Sequence, residues 1–123
     1  VPNPKENRMS LEIYYNPRCS KCRLTLQLLE EKGETAEVIE YLKTPPSREQ
    51  LEQILDMLGL QPRELMRKKE AEYKELKLAD EGLSREQLID AMLTHPKLIE
   101  RPIVIKDGKA AIGRPPELVL EIL

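Results

Sequence analysis

Two cysteines stand three residues apart in Cys19-Ser20-Lys21-Cys22, preceded by Arg18 and followed by Arg23. A thiol acts as a nucleophile in its thiolate form, and thiolates form where positive charge or the unpaired N–H groups of a helix start lie close. Cys19 falls just before a predicted helix, so its pKa is expected to be depressed, with Lys21 and Arg23 stabilising the thiolate beside Arg18. The same donors suit a tetrahedral oxyanion. The plainer reading makes both cysteines small buried hydrophobes. Zinc is the other chemistry of a C-x-x-C pair, but a structural site takes four ligands and the chain has two cysteines and one histidine, so no metal site is expected. His95, followed by Pro96, is read as ending a helix and is given no catalytic part.

These residues need elements to hold them. Glu12 to Tyr15 reads as a short strand, broken by Asn16-Pro17 ahead of a helix from about Cys22 to Lys32 that Gly33 ends. A second strand around Glu37 to Tyr41 stops at Thr44-Pro45-Pro46, which gives a strand-helix-strand unit with a right-handed crossover. Ser47 and Gln50 form a capping box, and Leu51, Ile54, Leu55 and Leu58 trace the apolar stripe of a helix closed by Gly59. The string Ser-Arg-Glu-Gln-Leu recurs at Ser84 to Leu88 as a second helix start. Between them, Pro62 to Leu78 is charged and proline-initiated, which predicts shorter, exposed helical turns. Ile103 to Lys106 and Ala110 to Ile112 flank Asp107-Gly108, a hairpin signal, and Pro115-Pro116 opens a last helix through Leu118, Val119 and Ile122. This order predicts an α/β, thioredoxin-like fold: a small mixed four-stranded sheet flanked by helices, with a central helical insertion.

Residues 1–8, ahead of Met9, read as a disordered lead-in or an expression remnant, and residues 9–123 as a single domain. With no Phe or Trp the core must be aliphatic, and base stacking is poorly supplied. Charged residues make up 34% of the chain yet nearly cancel to a net charge of -2. No direct nucleic-acid binding is expected from that balance. No apolar run is long enough to span a bilayer and no secretory signal is evident, so a soluble cytoplasmic protein without membrane contact is expected. In that reducing compartment a C-x-x-C pair reads as chemistry.

Three further arginines come into view only by resemblance. Arg101 precedes Pro102 at the start of an apolar strand, where a cis bond would turn it toward the cysteine loop, although the sequence does not fix the isomer. Composition does not separate it, Arg67 or Arg114 from the other arginines. However, the segments YYNPRCSKCR, YLKTPP, ELMRKKE, HPKLIERPIVI and IGRPPE, in this order from about Leu11 to Leu123, resemble the ArsC-type arsenate reductases that work with glutathione and glutaredoxin. The resemblance implies Cys19 as the nucleophile on arsenate or a similar oxyanion, and Arg67, Arg101 and Arg114 as its ligands. It also implies glutathione as co-substrate with no bound cofactor, and glutaredoxin as the partner that clears the mixed disulfide. Two positions depart from the pattern. Tyr15 stands where the best-known members carry histidine, and Cys22 where they commonly carry serine. Cys22 thus becomes a candidate resolving thiol, with a Cys19–Cys22 disulfide competing with glutathionylation.

The expected function is reduction of arsenate to arsenite. One rival shares the fold: the Spx-type transcription regulators, which carry an N-terminal C-x-x-C redox switch and bind RNA polymerase, but which do not keep a segment like Gly113 to Glu117. A general thiol-disulfide oxidoreductase is the other rival, and it leaves the three arginines without a task.

Overall fold

The computed structural model describes residues 11–123, and the expected lead-in lies outside the described residues. The chain divides into two units: one holds the described residues up to Thr44 together with Arg101–Leu123, and the other is Pro45–Glu100.

The first unit contains the sheet. Strand β1 (Glu12–Tyr15) runs into helix α1 (Ser20–Glu31), which leads to β2 (Glu37–Glu40), parallel to β1. Strand β3 (Ile103–Lys106) pairs antiparallel with β1 on its other side, and β4 (Lys109–Ile112) pairs antiparallel with β3. The order β2-β1-β3-β4 is the mixed four-stranded sheet that the sequence predicts. Leu11, Ile13, Leu29, Val104 and Val119 form an aliphatic cluster against it, and Tyr14 and Tyr41 are buried as well, so the core is mainly aliphatic, as expected, but not wholly so. Each such side chain, fully buried, contributes about 1.5–3 kcal/mol.

Helix α1 starts at Ser20, earlier than the expected Cys22. The cause is local. Cys19 N–H donates to the Asn16 carbonyl at 2.9 Å, closing a tight turn, and Arg23 N–H already donates to the Cys19 carbonyl at 3.1 Å. Cys19 therefore becomes the N-cap residue, with extended φ of -92° and ψ of 120°.

The hairpin sets a register that matters for the site. Asp107 and Gly108 have φ of 50° and 77°, the left-handed pair that a type I′ turn demands. That turn pairs Lys106 with Lys109 and Ile103 with Ile112. Continued outward, the same register places Pro102 by Gly113, whose N–H donates to the Pro102 carbonyl at 3.0 Å, and Arg101 by Arg114. Because Tyr14 of β1 lies opposite Ile103, both arginines fall at the end of the sheet where β1 runs into the cysteine loop.

The expected C-terminal helix is a 3-10 helix over Pro116–Ile122. Its inward residues are Pro116, Val119 and Ile122, spaced by three, and this is the period of a 3-10 helix and not of an α-helix.

The second unit is the predicted helical insertion. It comprises α2 (Arg48–Leu58), a 3-10 turn at Pro62–Leu65, α3 (Ala71–Glu75), α4 (Arg85–Thr94) and a 3-10 turn at Pro96–Leu98. Both capping boxes form: Gln50 N–H donates to Ser47 Oγ at 3.1 Å and Gln87 N–H to Ser84 Oγ at 3.2 Å, each answered by the glutamine side chain. Leu51, Ile54 and Leu55 of α2 and Leu88, Ile89 and Met92 of α4 are buried. Among the described residues, no helix is long and apolar enough to cross a membrane.

Candidate active site

The cysteine loop is held by backbone bonds. Asn16 accepts from Arg18 N–H through Oδ1 at 3.0 Å, and the Arg23 guanidinium donates to the Pro17 carbonyl at 2.7 Å. Cys19 is 7% exposed and Cys22 is fully buried, and both are free thiols. Burial pushes the Cys19 thiol up. The Cys22 backbone N–H, the Cys22 thiol, the positive charge of Arg101 and the Lys21 backbone N–H outweigh it and hold Cys19 below the ordinary thiol value. Cys22 behaves oppositely: burial, together with the hydrogen bond and charge of Cys19, pushes it up to about 12, against the pull of the Asn16 N–H (3.5 Å from Sγ) and of Arg101.

Lys21 and Arg23 were expected to stabilise the thiolate through their charges. The structure gives Lys21 a backbone contribution and turns the Arg23 guanidinium onto Pro17. The guanidinium group that reaches the sulfur comes from the far end of the chain, and the charge of Arg101 also acts on it. Arg114 donates through Nε to the Arg101 carbonyl at 2.8 Å and through Nη2 to Cys19 Sγ at 3.6 Å. Arg101 and Arg114 each precede a cis proline, Pro102 and Pro115. Tyr15 supplies no charge: burial and the two cysteine sulfurs push its phenol above the ordinary value, against the opposing charge of Arg23, so it is neutral at neutral pH and packs on the aliphatic core.

Arg67 sits in the second unit, after the bridge between Met66 and Ile99, with its N–H on the Leu98 carbonyl at 2.7 Å. Its guanidinium pairs with Glu70 at 3.3 Å.

Two residues that the sequence reading passed over hold the arginine segment against the helix. A Cβ on Gly113 would lie 2.5 Å from Thr25 Oγ1 and 2.9 Å from Pro102 Cγ, so only glycine fits between α1 and the start of β3. Thr25 is fully buried, and its hydroxyl has no hydrogen-bond partner among the described residues. Gly113→Ala is therefore expected to destabilise the protein by about 1–3 kcal/mol through overpacking. A thermal melt should register this as a drop of several degrees, partly restored by Thr25→Ala in the same chain. An unchanged melting temperature would contradict the close packing.

The site thus sets a low-pKa sulfur against two guanidinium groups, an arrangement that suits nucleophilic attack on a bound oxyanion. It also predicts a pH dependence. Because the thiolate is the reactive form and the Cys19 pKa is lowered, iodoacetamide labelling of Cys19 should rise to half its maximum at a pH below that of a free cysteine. Cys22 should stay unlabelled throughout the neutral range. Peptide mass spectrometry across a pH series reads both, and equal labelling of the two thiols would contradict the assigned asymmetry.

The model of the ArsC family matches residues 14–122. The chain is 59% identical over 114 residues to the uncharacterized protein YfgD of Escherichia coli, covering 92% of this chain and 96% of that protein. It is 49% identical to an arsenate reductase of Neisseria meningitidis serogroup A, covering 92% and 97%. Among solved structures, an arsenate reductase from Vibrio cholerae superposes with a TM-score of 0.92 at 57% identity, covering 95% of this chain and 100% of that one.

Proposed function

Because the chain belongs to the ArsC family, we propose that it is an oxidoreductase that reduces arsenate to arsenite. The Cys19 thiolate attacks arsenic(V) and displaces hydroxide, while Arg101 and Arg114 neutralise the oxyanion with planar, multi-donor groups. The observation that carries this reading is the Arg114 Nη2 to Cys19 Sγ contact at 3.6 Å, which puts an anion-binding group on the nucleophile itself. Arg67 enters as a third anion ligand through the family resemblance alone. Its test is Arg67→Ala, with a raised KM for arsenate as the expected outcome.

Arsenite leaves once a second thiol attacks Cys19. By the family resemblance that thiol would be glutathione, with glutaredoxin clearing the mixed disulfide by ordinary exchange, and Cys22 of the chain itself is the competing candidate. Such a reaction draws on a reduced thiol pool and so belongs in the cytoplasm. The test is NADPH consumption in the presence of glutathione, glutaredoxin and glutathione reductase. The expected result is consumption that depends on arsenate and saturates with it. Absence of consumption at any arsenate concentration would overturn the proposal, and retention of RNA polymerase by the same inactive protein would favour the redox-switch regulator.

A further inference from the structure

Resting on the reading that Cys19 carries the arsenic adduct, we propose that Cys22 is the thiol that releases arsenite, so that the catalytic product is an internal Cys19–Cys22 disulfide and the regenerating reductant is a dithiol.

The placement favours it. Cys19 is the N-cap of α1 and Cys22 lies three residues on in its first turn, a spacing that puts the two residues on the same side of the helix start. Both are free thiols, and each sulfur is already approached by a donor of the loop or its neighbours: Asn16 N–H at 3.5 Å from Cys22 Sγ and Arg114 Nη2 at 3.6 Å from Cys19 Sγ. An external thiol must reach a residue that is only 7% exposed, whereas Cys22 is fully buried in the first turn of the same helix. Well-oriented intramolecular attack corresponds to effective concentrations of about 10^5 M or more, far above any cellular thiol.

The electrostatics supply an order of events. Cys22 is held up by burial and, after that, by the hydrogen bond and negative charge of Cys19. Once Cys19 is bonded to arsenic its charge is gone, and with it these two influences. The Asn16 N–H and the Arg101 charge remain, and both favour the Cys22 thiolate. Capping Cys19 therefore lifts part of what holds the Cys22 thiol up, while burial, the largest influence, stays.

In the first step the Cys19 sulfur bonds to arsenic and hydroxide departs. In the second, Cys22 gives its proton to water, and its sulfur electron pair forms the bond to Cys19 Sγ. The sulfur–arsenic bond breaks with its electron pair going to arsenic. Arsenic gains two electrons and falls from (V) to (III), and the two cysteines lose two as they become a disulfide. A dithiol then attacks the disulfide, passes through a mixed disulfide and is itself oxidised to a disulfide, restoring both thiols.

The test is a single turnover of the reduced full chain with excess arsenate and no added thiol. It is quenched by alkylation and read by mass spectrometry of the protein and quantitation of arsenite. The expected result is one arsenite per chain and a Cys19–Cys22 disulfide that resists alkylation. Cys22→Ser should keep arsenic on Cys19 and cut thiol-free arsenite release by about tenfold or more. Dithiothreitol, used as the dithiol probe, should restore the wild type for further turnovers. A wild-type protein that holds arsenic on Cys19 and releases arsenite only after glutathione is added would overturn this proposal while leaving the role of Cys19 intact. Neither adduct nor arsenite, even with glutathione and glutaredoxin present, would overturn the reading beneath it as well.

Discussion

Cys19→Ser is expected to lose arsenate-dependent turnover by about 10^3-fold or more, because a serine hydroxyl at the same place is not ionised at neutral pH and forms no comparable bond to arsenic. The fold should survive the change. Cys19 lies outside the aliphatic core of Leu11, Ile13, Leu29, Val104 and Val119, and the turn that holds it is made by backbone N–H and carbonyl groups. Coupled NADPH oxidation gives the activity, and a thermal melt within a few degrees of wild type shows that the loss is chemical. Full activity in Cys19→Ser would remove the nucleophile from the mechanism altogether.

The second large effect is expected at Arg114. Removing one preorganised donor from developing charge in an enclosed site costs about 10^2–10^3 in rate, and Arg114→Ala is expected to fall in that range for kcat/KM. It has a second signature. Withdrawing the guanidinium that lies 3.6 Å from Cys19 Sγ removes a donor that favours the thiolate, so the Cys19 pKa should rise and the acid limb of its labelling curve should move to higher pH. Arg114→Lys should recover little of either. The native side chain uses Nε on the Arg101 carbonyl while Nη2 reaches the sulfur, and an ammonium group cannot hold both positions. If Arg114→Ala raised KM alone and left the labelling curve in place, the arginine would be binding substrate without touching the thiolate.

Much of this fold can be read along the chain because local rules and tertiary contacts agree. Ser47 and Ser84 form the capping boxes that their spacing announces, and Asp107-Gly108 forms the turn that its φ requirement announces. Where the reading slipped, a short-range detail decided the outcome. Helix α1 begins at Ser20 because the Asn16 carbonyl captures Cys19 N–H and turns the chain early, and cysteine is not a residue that signals an N-cap. At the C-terminus the helix expected after Pro115-Pro116 forms as a 3-10 helix, with Pro116 and Val119 buried and Ile122 half-buried at a spacing of three.

The site was legible in two different ways. Cys19 at a strand-to-helix junction follows from motif and position. Arg101 and Arg114 were reached only by family resemblance, yet a physical signal was present. A two-residue turn at Asp107-Gly108 fixes the hairpin register, and that register carried outward sets Arg101 beside Arg114. Gly113 is the other missed sign, since its need for space depends on Thr25, which is distant in sequence. The charges of Lys21 and Arg23 look closest to Cys19 along the chain, but helix geometry sends the Arg23 guanidinium to the Pro17 carbonyl.

The central claim is that a sulfur–arsenic bond forms at Cys19. Arsenic X-ray absorption on Cys22→Ser, in which the adduct should be retained, and on the Cys19→Ser/Cys22→Ser double variant, each mixed with arsenate and freed of excess, tests it most directly. Sulfur in the arsenic coordination shell of Cys22→Ser and no sulfur around arsenic in the double variant is the predicted result. Arsenic surrounded by oxygen alone in both proteins would contradict the account.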